Sequence, residues 1–288
     1  MPFVSIQSAP PQRNIDAGEQ AFNTVLEPCA GRINESVVAS MATALQLELT
    51  EVQALIDAGK PVPLARSHTR PESEMIAALV RTCGLRAAVI PDCELRLDKE
   101  LLRARQVELS EDAIHVVHSG GEMRVDKVEI TLTVLGELRN TRVDYTEGIS
   151  GKGGGPGSVL ETSEYRSEET LLDVYATSLD RSFRIRSDAF DYSGLVSPLS
   201  FRSDLNFRAA LATLRGAVPQ ALNDDDFTKM RPLLERAWPA RTRNESRGIK
   251  RTGLGLRAVA QASVSNDNRD QFERYSRLVF ISSKREPN

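Results

Sequence analysis

The segment Ile149 to Ser158, ISGKGGGPGS, holds five glycines and one lysine, a composition that can cradle phosphate. In a P-loop, GxxxxGK[ST], backbone amides wrap the phosphates, the lysine neutralises them and the hydroxyl holds magnesium. Here Lys152 is followed by Gly153 instead of Ser or Thr, and Ser158 follows Gly157 with no lysine between them. A P-loop also joins a buried strand to a helix start, whereas the flanks VDYTEG and VLETSEYRSEE are polar. Lys152, Gly153, Gly154 and Gly155 are the phosphate-binding candidates. The plainer reading of so much Gly, Pro and Ser is a flexible tip between two strands.

A second candidate is the stretch RTRNESRGIKRTGLGLR. Its basic residues Arg241, Arg243, Arg247, Lys250, Arg251 and Arg257 stand against a single acid, Glu245. Such a segment can grip a phosphate backbone or an acidic protein groove. No aromatic residue is interleaved to stack on bases, so nucleic acid is not the favoured partner, and a solvated linker is the plainer reading.

Other reactive side chains do not converge in the sequence. His115 and His118 are three apart in a strand-like run, which sends them to opposite faces and away from a shared metal. His68 sits in the polar turn SHTRPE. No serine has a GxSxG context. Cys29, Cys83 and Cys93 are widely spaced with no CxxC pair, which reads as reduced thiols rather than a zinc ribbon or disulfide framework. Asp224, Asp225 and Asp226 suit a helix N-terminus, where negative charge meets the dipole. No catalytic residue, metal ligand or cofactor follows from this inventory.

Bulk properties narrow the class. With 288 residues, 40% apolar, 27% charged and a net charge of −3, the chain has the makings of a real core and no strong bias toward polyanions. Only seven of the 37 basic residues are lysine. Arginine forks pair well with carboxylates and phosphates, although coding-DNA composition gives the same bias without function. No run of 18 apolar residues exists and the N-terminus lacks a signal-peptide pattern, so no membrane insertion and a cytoplasmic location are expected.

Residues 1–20, with three prolines, read as a poorly ordered N-terminal arm. Residues 21–95 read as a small module of order β-α-α-β-α-β. FNTVL is its first strand. Val37, Val38, Met41 and Leu45 share one helix face. Thr50 with Gln53, and Thr69 with Glu72, are capping-box pairs. PVPLAR and LRAAVI are the remaining strands, with Gly59 and Gly84 as helix stops. After a charged link the period becomes two. IHVV turns at SGGE. VEITLTV points Val128, Ile130, Leu132 and Val134 one way and Glu129, Thr131 and Thr133 the other. LLDVYATSLDRSFRIR turns near Ser178 to Asp180, with Arg184 and Arg186 outward. Phe207, Ala210, Leu211, Leu214 and Val218 mark a helix capped by Ser203 or Asp204, which closes a module over 103–220. Residues 221–288 read as a helical and flexible extension. Within it, DDDFTKMRPLLERAW is a short helix, and Phe272, Tyr275, Val279 and Phe280 share a helix face.

The 21–95 order, carried by GKPVPLARSHTRPESEMIAALVRTCGLRAAVIP, resembles two protein-docking folds, the C-terminal domain of the ribosomal stalk protein and the Clp protease N-degron adaptor. The antiparallel run closed by one helix resembles a pleckstrin-homology-type split barrel, and FDYSGL followed by NFRAALATLRGAVPQA resembles a pattern of uncharacterised bacterial proteins. The expected fold class is α+β, a small α/β docking module followed by an antiparallel pleckstrin-homology-like split barrel with C-terminal helices. The expected role is a non-catalytic adaptor or regulatory component that binds another protein. The alternatives are a nucleotide- or phosphate-binding enzyme using the 149–158 loop, and an RNA- or ribosome-associated protein using the 241–257 stretch.

Overall fold

The computed structural model describes residues 20–29, 33–149, 158–251 and 258–285, with backbone alone for 146–149, 158–161, 247–251 and 258–261. The expected N-terminal arm falls almost wholly outside these residues. The first elements are β1 (Phe22–Leu26), α1 (Glu35–Leu45), α2 (Leu49–Asp57), β2 (Val62–Ser67), α3 (Arg70–Thr82) and β3 (Ala87–Pro91). Their strands form an antiparallel sheet of order β2-β1-β3. Thr69 and Glu72 form the capping box of α3. The box of α2 is made by Glu48 and Glu51 instead of Thr50 and Gln53; Gln53 lies a turn further in and bonds Asp57 at 2.7 Å. Gly59 and Gly84 take φ of +60° and +84° after α2 and α3, conformations that glycine adopts without a Cβ penalty.

A second sheet holds β4 (Leu102–Leu109), β5 (Ala113–His118), β6 (Gly121–Asp126), β7 (Ile130–Ile149), β8 (Ser158–Ala176), β9 (Phe183–Arg186), β10 (Leu222–Asp224), β11 (Arg241–Arg251) and β12 (Ala258–Asp267). Its order is β11-β12-β7-β8-β9-β4-β5-β6, with β10 beside β7. Among the described residues no pairing joins β6 to β11, so the sheet is open. Three helices complete the α+β fold: α4 (Ser203–Ala217), α5 (Phe227–Leu234) and α6 (Arg269–Arg285).

The second sheet is covered on both faces of its body. Phe207, Ala210 and Leu214 of α4 pack with Val107, Ile114, Val174 and Phe183 on one side. On the other, Leu132, Leu171, Phe227, Phe272 and Leu278 share a core with Val25, Met41 and Val80 of the first module. A bulge between Ile130 and Leu132 shifts the register of β7 against β8. Hence Ile130 joins the α4 core while Leu132 and Val134 join the other. Thr133 faces α4, whose Arg215 donates to it at 3.2 Å, and is buried instead of facing water. The strand starts at Ile130; Val128 lies in a 3-10 turn and is 81% exposed. The helix α4 starts after Arg202, which makes no side-chain cap, so Ser203 and Asp204 lie inside it.

Buried polar networks fix α6 to both parts. Arg184, expected to point outward, lies under α6 and grips buried Asp173 through Nε at 2.6 Å and Nη2 at 2.9 Å. Ser276 of α6 donates to the same carboxylate at 2.6 Å. Tyr275 donates to Asp224 at 2.8 Å, and Lys60 of the first module bonds Asp224 at 2.5 Å. Burial, and then Asp224, push the Tyr275 hydroxyl far up, so it stays a donor. Arg274 reaches Asp92 at 2.9 Å, while Asn23 donates to Asp92 and accepts from Trp238, both at 2.8 Å. Each network spends its acids and bases on one another.

Candidate interaction ribbon

The strands β7 and β8, 20 and 19 residues long, outrun the body of the sheet. Beyond Leu138 on β7 and before Leu171 on β8, no side chain of either strand among those described is buried. There β12 pairs with β7 from Asn140 to Ile149, and β11 pairs with β12. The result is a four-stranded antiparallel ribbon of order β11-β12-β7-β8. Its sequence explains why it is a sheet without a core. Thr, Val and Tyr recur with no proline, which suits a pleated surface, but neither face carries a continuous apolar row.

The segment Arg241–Arg251, read from sequence as a linker, is therefore the outer strand of this ribbon, with a register shift between Ser246 and Ile249. Cross-strand register separates the two faces. Thr141, Val143 and Tyr145 share one face with Thr162, Glu164 and Arg166. Arg142 and Asp144 share the other with Ser265, Ser263, Arg243 and Glu245. Ion pairs lie along the faces: Arg142 with Asp144 at 2.8 Å, Arg166 with Glu164 at 2.8 Å and Arg139 with Glu168 at 3.5 Å. Exposed pairs of this kind contribute little, being screened by solvent, so they do not replace a core.

The root of the ribbon is anchored to α6. Asn268 accepts from the Arg139 amide at 2.8 Å and donates to the Glu137 carbonyl at 3.3 Å. Glu169 is held between Arg186 and Arg269. Gly136 passes directly under the Phe272 ring.

The two outer edges differ in sign. Among the described residues, no strand pairs with the side of β8 away from β7 from Ser158 to Glu169, or with the side of β11 away from β12. The free stretch of β8 carries Glu161, Glu164, Glu168 and Glu169 against Arg166. The strand β11 carries Arg241, Arg243, Arg247, Lys250 and Arg251 against Glu245. One edge is acidic and the other basic.

Lys152, Gly153, Gly154 and Gly155 lie outside the described residues. They connect antiparallel strands that pair as far as Gly148 and Ser158, so the segment follows a hairpin strand and precedes another, with no helix start after it. Arg241 and Arg243 are exposed on β11, Arg241 lying 3.6 Å from Asp270. Arg247, Lys250 and Arg251 belong to β11 by their backbone, and Arg257 lies outside the described residues. The acidic edge escaped sequence reading. Its signal is the alternation T-x-E-x-R-x-E from Thr162 to Glu168, masked by the low apolar content that suggested loop.

Among the described residues no group of His, Cys, Asp and Glu is placed to hold a metal. Cys29, Cys83 and Cys93 form no disulfide, and burial pushes the Cys83 thiol up. No described helix is long and apolar enough to cross a membrane. Comparison with known proteins finds no matching family model, curated relative or solved structure.

Proposed function

We propose that this protein is a non-catalytic assembly component that binds another protein chain by strand addition at the ribbon, and that the favoured partner is a second copy of itself. The observation that carries the reading is the pair of open ribbon edges of opposite charge. An exposed edge is a template for another strand. The ribbon has an even number of alternating strands, so β8 of one copy meets β11 of the next in antiparallel sense when the sheet continues. Pairing β8 with β8 brings acids together, and pairing β11 with β11 brings arginines together; like charges across strands are unfavourable. Arg243 and Glu164 project from opposite faces, so the selection acts through the field of each whole edge. A ribbon that buries almost nothing by itself also gains most from a neighbour.

The adaptor reading fits the same picture. The β1–β3 module is taken as the ribosomal-stalk- or Clp-adaptor-like docking unit. The strands β4, β5, β6, β8 and β9 with α4 are taken as the pleckstrin-homology-like unit that holds the ribbon out. A cytoplasmic setting belongs to the proposal and is supported by the three unpaired thiols. Amide hydrogen exchange tests it. Protection of Thr162–Thr170 and Arg241–Ser246 should rise with protein concentration while β4–β6 stay unchanged. Protection that is equal at low and high concentration refutes strand addition between copies.

A further inference from the structure

Two adjoining cavities lie between α6, the chain after β3 and the β8–β9 turn. The smaller, about 260 Å³, is lined by Lys99, Arg103, Arg184, Arg186, Arg269 and Arg277, with Glu100 and Glu273. The larger, about 510 Å³, shares Lys99 and Arg277 and adds the apolar surfaces of Leu95, Leu179, Phe280 and Ile281. Most of these cations already have counterions. Arg184 is held by Asp173 and Glu273, Arg186 by Glu169 and Asp188, Arg269 by Glu169, and Lys99 by Asp180.

Arg277 differs. It is 5% exposed, yet among the described residues its polar contacts include no carboxylate. Its Nη2 donates to the Lys99 carbonyl, its guanidinium lies 5.9 Å from the Tyr175 ring centroid, and its Nη1 is buried without a partner. A buried guanidinium with no counter-charge is costly, and native structures rarely keep one. Arg103, at the rim of the smaller cavity, is exposed and likewise has no acidic partner among the described residues.

We propose that this cleft binds a small organic phosphate, its phosphate against Arg277 and Arg103 and its apolar body along Phe280 and Ile281. A phosphate supplies the missing negative charge and accepts paired N–H bonds from a guanidinium fork. The neighbouring cavity is large enough for a ring-sized body and offers Leu95, Leu179, Phe280 and Ile281 as apolar contacts between charged side chains such as Glu94, Asp180, Lys284 and Arg285. The site lies beside the root of the ribbon, sharing Arg186 and Arg269 with the Glu169 anchor, and includes no residue of the 149–158 loop.

Isothermal titration of the full chain with phenyl phosphate, at low ionic strength, tests this. Phenyl phosphate should bind more tightly than inorganic phosphate. Arg277→Gln should weaken it about tenfold or more and Arg103→Ala by several-fold, since each removes a charge-assisted contact worth roughly twice a neutral one. Unchanged affinity in Arg103→Ala, absence of binding by the native chain, or equal affinity for inorganic phosphate overturns the proposal. If Arg277→Gln does not fold, Arg103→Ala decides the matter.

Discussion

Replacing Gly136 by alanine probes how α6 is seated on the sheet. A Cβ at Gly136 would lie 2.2 Å from Cε2 and 2.4 Å from Cδ2 of Phe272, well inside contact distance. The ring has little room to withdraw. It is fully buried, with Phe227 edge-on at 5.0 Å and the Arg184 guanidinium 5.4 Å from its centroid. Overpacking of this kind costs about 1–3 kcal/mol, and the closed surroundings place Gly136→Ala toward the upper end. Urea unfolding followed by Trp238 fluorescence measures it, because Trp238 is the sole tryptophan, 3% exposed and part of the same core. Phe272→Leu should relieve the clash, so the double variant should be less destabilised than the sum of the singles by about 1 kcal/mol. A Gly136→Ala stability within about 0.5 kcal/mol of the native chain, or strict additivity, would show that the ring does not lie over Gly136.

The buried Asp173 site and the partly exposed Lys60–Asp226 pair, 2.6 Å apart, each give a further expected outcome. Asp173→Asn leaves Arg184 without its buried carboxylate and should cost about 3–5 kcal/mol, read as a lowered urea midpoint; a loss below about 1 kcal/mol refutes the network. Lys60 bonds hold the Asp226 carboxyl below the usual carboxylate range, with Lys229 second. The resulting stabilisation is complete above the unfolded value, about pH 4, and is lost as pH falls through the lower folded value. Lys60→Met should reduce stability at neutral pH and flatten its fall below about pH 4; an unchanged acid unfolding curve would show that the pairing does not form.

Local chemistry was readable at several positions where one residue decides one conformation. The Thr69–Glu72 box, Gly59, Gly84 and the hairpin at SGGE all appear at their expected places. The stripe of Phe207, Ala210 and Leu214 found its core because helix spacing alone determines which side is buried. The caps of α2 and α4 lay one or two residues before the expected Thr50 and Ser203; the other failures depended on long-range contacts. The outward reading of Arg184 was reasonable for a half-exposed strand, but α6 arrives from the far end of the sequence and covers it. The bulge after Ile130 put that residue on the face opposite Leu132 and Val134, and a one-residue slip of this kind leaves no mark in hydropathy; Thr133 kept its expected face, which α4 covers. The strand β11 looked like linker because its pairing, not its composition, makes it a strand. Lys152 to Gly155 lie outside the described residues, while the acidic edge of β8 gained meaning only beside the basic edge of β11. Arg277 was one arginine among many until its burial without a counterion set it apart.

Sedimentation velocity on paired charge reversals tests self-assembly through the ribbon most directly. The native chain should associate in a concentration-dependent way that weakens with added salt. Glu164→Arg with Glu168→Arg, or Arg241→Glu with Arg243→Glu, should leave a monomer, and the four changes together should restore association. A native chain that stays monomeric at every concentration, or reversals that leave association untouched, would contradict the account.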